Sequence, residues 1–322
     1  MNRRTAVGSM LAAGAGSFLA QLRAGTPTTS LPPDDDGIYK LRSDVRLVLL
    51  DVSVKDGTGN PIPGLSQEHF TILEDGRPQI ITAFDHADVP VTVGILVDES
   101  LSMTPKRSEV LTAAETFIEE SNRQDEIFVL NFNDRVVPGL ASEKLFSDDI
   151  QELRSALHRG FPEGKTALYD TVVAGLRQLE LGTRDKKTLV VISDGGDNAS
   201  QYNRRNTLAL VKSSIATIYT IGLFEVDDPD RDPGILRQLA NMSGGESYFP
   251  SSPSVMVPVC RRIAKEIRTR YTIGYHPPVG AESFRNIKVR VSVPGHGRVY
   301  VRTRGSYRYE GVKNDEVGNH KQ

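Results

Sequence analysis

The chain has 322 residues, with 39 Lys plus Arg against 41 Asp plus Glu and a formal net charge of −2. No basic excess is available to hold a polyanion, which argues against a nucleic-acid binder or a protein kept on an anionic membrane by charge. The lone cysteine, Cys260, excludes an internal disulfide and any cysteine-rich zinc or iron–sulfur site.

A charged fraction of 25% and a hydrophobic fraction of 38% are ordinary for a globular chain, and the length suggests about two domains. In chain order, Arg3 and Arg4 precede an apolar, small-residue run from Ala6 to Leu22 that holds no Asp or Glu. This reads as a signal peptide over 1–24, of Sec or twin-arginine type, cleaved near Ala24 or at Ala20; the rival reading, an uncleaved anchor, is at the short limit for spanning. Cleavage after Ala24 removes Arg3, Arg4 and Arg23 and leaves no membrane span, so the mature chain is expected in the periplasm or outside the cell. Residues 25–37, rich in Pro, Thr and Asp, read as a linker.

Residues 38–88 read as a β-rich segment. Val45, Leu47 and Leu49 alternate, Val52 and Val54 continue a period of two, and Asp75-Gly76 turns Phe70 and Ile72 back toward Ile80, Ile81 and Phe84. From Val91 the pattern changes to unbroken apolar runs, as in strands buried on both faces: Val91 to Val97, Ile127 to Phe132, Thr188 to Ser193 and Ile218 to Leu223. Helical spacing fills the intervals. Thr104-Pro105 reads as a helix start followed by Val110, Ala114, Phe117 and Ile118. Leu168, Val172, Leu176 and Leu179 line another helix, and further helices cover Leu208 to Val211, Ile235 to Ala240, and Ser252-Pro253 to about Arg270. Alternating strands and helices over 89–270 predict an α/β, doubly wound, mostly parallel sheet. Residues 271–311 return to a period of two, with Ile287, Val289, Val291 and Val293 on one side. Too few strands lie in either flank to bury a core, so 38–88 and 271–311 are expected to pair into a second, small antiparallel β domain. Residues 312–322 form a polar tail.

In open α/β sheets ligands sit at the carboxyl ends of the strands. After the first buried strand stands Asp98-Glu99-Ser100-Leu101-Ser102, and after the third stands Asp194-Gly195-Gly196-Asp197. Between them Gly164-Lys165-Thr166 precedes a helix. Two carboxylates and three hydroxyls, with no His or Cys among them, suit a hard cation such as Mg2+, Mn2+ or Ca2+ and not Zn2+.

Asp98-x-Ser100-x-Ser102, then Thr166, then Asp194 resembles the metal-ion-dependent adhesion site of von Willebrand factor type A (VWA) domains, as in integrin inserted domains. The likeness runs from about Pro90 to Arg270. The leader, Gly64-Leu65 through Phe84, Ser243-Gly244-Gly245 and Tyr271-Thr272-Ile273-Gly274-Tyr275 also resemble exported bacterial VWFA-related proteins of acidobacterial type. The resemblance implies a Rossmann-like sheet. It implies that Ser100 and Ser102 ligate the ion directly, with Thr166, Asp98 and Asp194 direct or through water. It further implies a vacant coordination position for an Asp or Glu carboxylate of a protein partner.

Other motifs fail on spacing. Gly160 to Thr166 has one residue too few between its glycines for a P-loop, and a helix-like stretch precedes it where a strand is needed. Asp228 to Asp232 opens like a calcium loop, but Pro233 and Leu239 stand where Gly and Glu are required. The His residues form no H-x3-H pair and no G-x-S-x-G occurs. Asp197 reads as a turn residue, the basic residues Arg261 to Arg270 as a solvated helix face with salt bridges to the β unit, and Cys260 as an inert buried thiol. The expected function is a non-enzymatic, metal-dependent adhesion module. Two alternatives stand beside it: an envelope assembly component with a vestigial metal site, and a metal-assisted hydrolase using Glu99 or Asp197 as base.

Overall fold

The computed structural model describes residues 47–224 and 229–311. The expected signal peptide, the linker, the first residues of the 38–88 segment and the polar tail lie outside them. Its strands are β1 Val48–Lys55, β2 Phe70–Glu74, β3 Arg77–Gln79, β4 Ile81–Asp85, β5 Val91–Asp98, β6 Glu126–Phe132 and β7 Val136–Pro138. They continue with β8 Lys186–Ser193, β9 Thr217–Gly222, β10 Ser247–Tyr248, β11 Tyr271–Tyr275, β12 Ser283–Val291, β13 Tyr300–Arg302 and β14 Ser306–Tyr309. The α-helices are α1 Arg107–Glu119, α2 Ile150–Leu157, α3 Leu168–Glu180, α4 Arg204–Ser213, α5 Pro233–Ser243 and α6 Met256–Arg268. Among the described residues no helix is long and apolar enough to cross a membrane.

The central sheet runs β10-β9-β8-β5-β6-β7, parallel except for β7 at the edge. All eight residues of β5 are buried, as its unbroken apolar run requires of a strand covered on both faces. From β5 the chain moves to β6 on one side and later to β8 on the other. The strand order therefore reverses at β5, which places a crevice beyond the carboxyl ends of β5 and β8.

The flanks pair as expected. One sheet is β13-β1-β11-β4 and the other β14-β12-β2-β3, so strands from before and after the central sheet interleave in both. Between them lie Val48, Leu50, Val52, Val54, Phe70, Ile72, Tyr271, Ile273, Ile287 and Val289. The inward face of β1 is the even-numbered one. Leu47 and Leu49, read from sequence as the start of the alternation, point outward and are half exposed.

Two boundaries differ from the sequence reading. Residues Leu101–Lys106, with Pro105 inside, form a 3-10 turn, and the α-helix begins only at Arg107. Helix α6 ends at Arg268, so Arg270 is not on a solvated helix face. It is buried between the two layers. Its Nε lies 3.0 Å from Asp51, its Nη1 takes a hydrogen bond's length of 3.0 Å to the Tyr219 hydroxyl, and its Nη2 donates to the Asp51 and Gly244 carbonyls at 2.8 and 3.0 Å. Arg261, Arg262 and Lys265 do face solvent, and Arg262 reaches the β unit by donating to the Gly59 carbonyl at 2.6 Å.

Candidate metal centre

Three chain segments meet beyond the carboxyl ends of β5 and β8. Asp98 is the last residue of β5 and is buried. Its Oδ1 accepts from the Ser100 N–H at 2.9 Å, an Asx-type turn that curls the following residues around it. Its Oδ2 accepts from the Ser193 hydroxyl at 2.6 Å, and so ties the ends of β5 and β8 together. Ser100 and Ser102 then project toward each other, with their hydroxyl oxygens 3.1 Å apart.

From the far side, Asp194 follows β8. Its Oδ1 accepts from the Gly196 N–H at 3.0 Å and its Oδ2 from the Ser102 hydroxyl at 2.5 Å. Gly195 adopts a φ of +84°, and a Cβ there would stand 2.3 Å from the Asp232 carbonyl oxygen. Only glycine makes that turn without displacing the backbone in front of α5.

Thr166 lies in the adjoining loop and is buried. Its N–H donates to Asn198 Oδ1 at 2.9 Å, and its carbonyl accepts from Asn198 and Ala199 at 3.0 and 3.1 Å. The Leu101 N–H reaches the Gly164 carbonyl at 3.4 Å, which joins this loop to the 98–102 turn. Asp98, Ser100, Ser102 and Asp194 are thus linked by direct side-chain or backbone bonds. Thr166 is held beside them through its backbone. The N-cap of α3 is Ala167, so Thr166 stands directly before the cap of the helix that the sequence places after it.

The electrostatics favour a cation. Burial, and then the neighbouring charge of Asp194, push the Asp98 carboxyl up to about 7. A divalent ion among these oxygens would relieve both effects. Among the described residues no three His, Cys, Asp or Glu side chains are grouped so that they alone could hold a metal ion. The set is instead two carboxylates among hydroxyls, which suits a hard, oxygen-seeking ion.

Sequence reasoning overlooked Ser193 and Asn198. Ser193 directly precedes Asp194, and its position at a strand end was the available signal. Asp197 does more than sit in a turn. Its Oδ1 accepts from the Tyr169 N–H at 3.1 Å and the Ser200 hydroxyl at 2.6 Å, and so caps α3 from another loop. Asp232 caps α5 by accepting from the Ile235 N–H at 3.0 Å, with Pro233 at the first turn, a helix start in place of a calcium loop. Asp228 of that run lies outside the described residues.

The family profile for the von Willebrand factor type A domain matches residues 92–257, more than half of the chain. The chain belongs to the VWA family. A von Willebrand factor type A protein from Catenulispora acidiphila shares 13% identity and a TM-score of 0.50, over 85% of this chain and 76% of that one. That coverage extends the likeness in fold beyond the VWA domain into the flanking strands. The vWF domain of a type V pili tip protein from Porphyromonas gingivalis aligns at 12% identity and a TM-score of 0.46, over 56% of this chain and 95% of that one. The PilB minor pilin from Streptococcus sanguinis aligns at 14% identity and a TM-score of 0.44, over 60% and 64%. No curated protein matches.

Proposed function

We propose that this VWA protein is an exported interaction module in which Asp98, Ser100, Ser102, Thr166 and Asp194 hold Mg2+ or Mn2+, with Ca2+ as a further candidate. The partner is a protein presenting an Asp or Glu carboxylate. The observation that carries the reading is the bond from Ser102 to Asp194 at 2.5 Å, with Ser100 at 3.1 Å, because it brings separate loops of oxygen donors to one point. When bound, the ion supplies a positive charge that neutral hydroxyls leave largely uncompensated, and so attracts an acidic group. The N-terminus of α3, which begins at Leu168 just past Thr166, adds to that attraction.

The two side chains once considered as hydrolytic bases are engaged otherwise. Glu99 is buried and paired with Arg107 at 2.8 Å, and Asp197 caps α3. Asp197 is therefore engaged as a cap, and Glu99, 2% exposed, is kept from solvent; this favours adhesion over hydrolysis, which needs a base that faces a bound water. Titration calorimetry with Mg2+ and Mn2+ tests the site. Wild type is expected to take up one ion, and Asp98→Ala none, with unchanged circular dichroism. An ion at about 100 times its Kd is expected to add about 2.7 kcal/mol of stability, reversed by chelator. A folded wild type that takes up no ion, or an Asp98→Ala variant that binds as wild type does, would overturn the proposal.

A further inference from the structure

The outward face of β1 carries Leu47 and Leu49, 43% and 41% exposed, where the outer face of a sheet sandwich ordinarily carries polar side chains. They lie side by side over Gly274 of β11, where a Cβ would stand 3.1 Å from the end of each. Ile215, between α4 and β9, is 57% exposed and completes an aliphatic wall around a cleft of about 240 Å3. A second cleft, of about 410 Å3, shares Leu47, Ile215 and Arg304 with the first.

Arg304 stands where the two clefts meet. Its backbone is seated against Gly244, on which a Cβ would stand 2.4 Å from the Arg304 nitrogen. Nη2 donates to the Leu49 carbonyl at 3.1 Å, and the guanidinium lies 5.6 Å from the Tyr307 ring centre. No carboxylate among the described residues pairs with it. Burial pulls the group below the ordinary arginine value, and only Tyr275 and Tyr307 act against that. Nε is unpartnered but closed off, so no ligand reaches it. Nη1 makes no hydrogen bond among the described residues and is not closed, which leaves its N–H groups open to the clefts that Arg304 lines.

Charge sets the class of ligand. Arg304, Lys186 and Lys187 line the first cleft with Asp51 and Asp185, which leaves a single positive charge uncompensated. Lys186 is engaged with Asp51 at 3.8 Å, and Lys187 donates to the Leu179 and Gly182 carbonyls at 2.7 and 2.9 Å. Arg304 is the cation left open to an anion in this cleft. One guanidinium balances a monoanion, whereas a dianion such as a phosphate monoester keeps a charge that Asp51 and Asp185 repel. A carboxylate accepts N–H bonds from a guanidinium in its plane. The aliphatic wall beside it calls for an apolar stem behind that head.

We propose that the cleft walled by Leu47, Leu49 and Ile215 binds a free medium-chain fatty acid, with its carboxylate accepting from Arg304 Nη1 and its chain laid along the three aliphatic side chains. The site uses none of the oxygens of the candidate metal centre and does not rest on the adhesion reading.

Titration of sodium octanoate into the folded chain, followed by backbone amide NMR, tests the proposal. Saturable shifts are expected at Leu47, Leu49, Ile215, Arg304 and Gly305, unchanged by chelator. Shortening the probe toward butanoate should weaken binding about fourfold per methylene removed. Octan-1-ol and octylamine lack the charge that Arg304 recognises, and octyl phosphate at pH 8 carries too much of it; each should bind about tenfold more weakly. Ile215→Ser and Leu47→Ser, at exposed positions where folding is not at stake, should each weaken octanoate severalfold. Arg304→Gln, which can still donate to the Leu49 carbonyl, should lose about tenfold. Absence of saturable shifts with octanoate overturns the proposal. So does octanol, octylamine or octyl phosphate binding as tightly as octanoate, or unchanged affinity in a folded Arg304→Gln or in both serine variants. Should Arg304→Gln fail to fold, the head-group series and the two serine variants decide the matter.

Discussion

Cys260 packs on α6 among Ile263, Ala264 and Ile267 with no exposure, and burial pushes its thiol up to about 12. An unfolded cysteine ionises near 8.5, so between these two values the native state keeps a proton that the unfolded state has lost. Stability is therefore complete below about pH 8.5 and falls as pH rises toward 12. The thiolate is the reactive species. Ellman's reagent at pH 8 should leave the native thiol unmodified and titrate it fully in guanidinium chloride; rapid native labelling would show that the helix opens. This residue was readable from the sequence, because Val259, Ile263 and Ile267 share its helical stripe. The meeting of Asp98, Ser100, Ser102 and Asp194 was readable too, since the ends of adjoining strands in an α/β sheet bring their following loops together. Ser193, Asn198 and the unpaired guanidinium of Arg304 were not, because they depend on which loops touch.

Helix α3 shows the same limit one level up. Its own N-cap, Ala167, offers no side-chain acceptor, and Asp197 supplies one from the 194–200 loop across 28 positions of sequence. Helix α2 carries a local cap instead, Asp149, which accepts from the Gln151 and Glu152 N–H groups at 2.8 and 3.1 Å. A local cap is legible and a borrowed one is not. Strands β5, β6, β8 and β9 were legible as apolar runs, whereas β7 has three residues ending in Pro138 and carries no period to read. Loss of a cap costs about 0.5–2 kcal/mol. Asp149→Ala and Asp197→Ala are both expected to fall in that range by urea denaturation. Only Asp197→Ala should also weaken Mg2+ uptake, because it frees the start of α3 next to Thr166. Equal metal affinity in the two variants would show that the borrowed cap serves stability alone.

The two layers are joined by buried charge. Lys55 of β1 meets Glu266 of α6 at 2.5 Å and also pairs with Glu246, while Arg270 links Asp51 of β1, Tyr219 of β9 and the Gly244 carbonyl. These partners come from before and within residues 89–270, so neither layer completes its ion pairs alone. Replacing one member of such a network strands the others without countercharge, at about 3–5 kcal/mol. Arg270→Ala is expected to lose that amount in urea. Far-UV circular dichroism, which follows the helices, and backbone amide NMR signals of β1, β2, β11 and β12, which follow the flanking sheets, should shift together along the urea titration. The excised segment 89–270 keeps Arg270, Glu246 and Glu266 but loses Asp51 and Lys55. It should therefore unfold at a lower urea midpoint than the full chain, and supplying excess Mg2+ to both should leave the difference in place. An excised segment as stable as the whole, or two separate transitions in the Arg270→Ala chain, would mean that the flanking β layers ride on the VWA domain without bracing it.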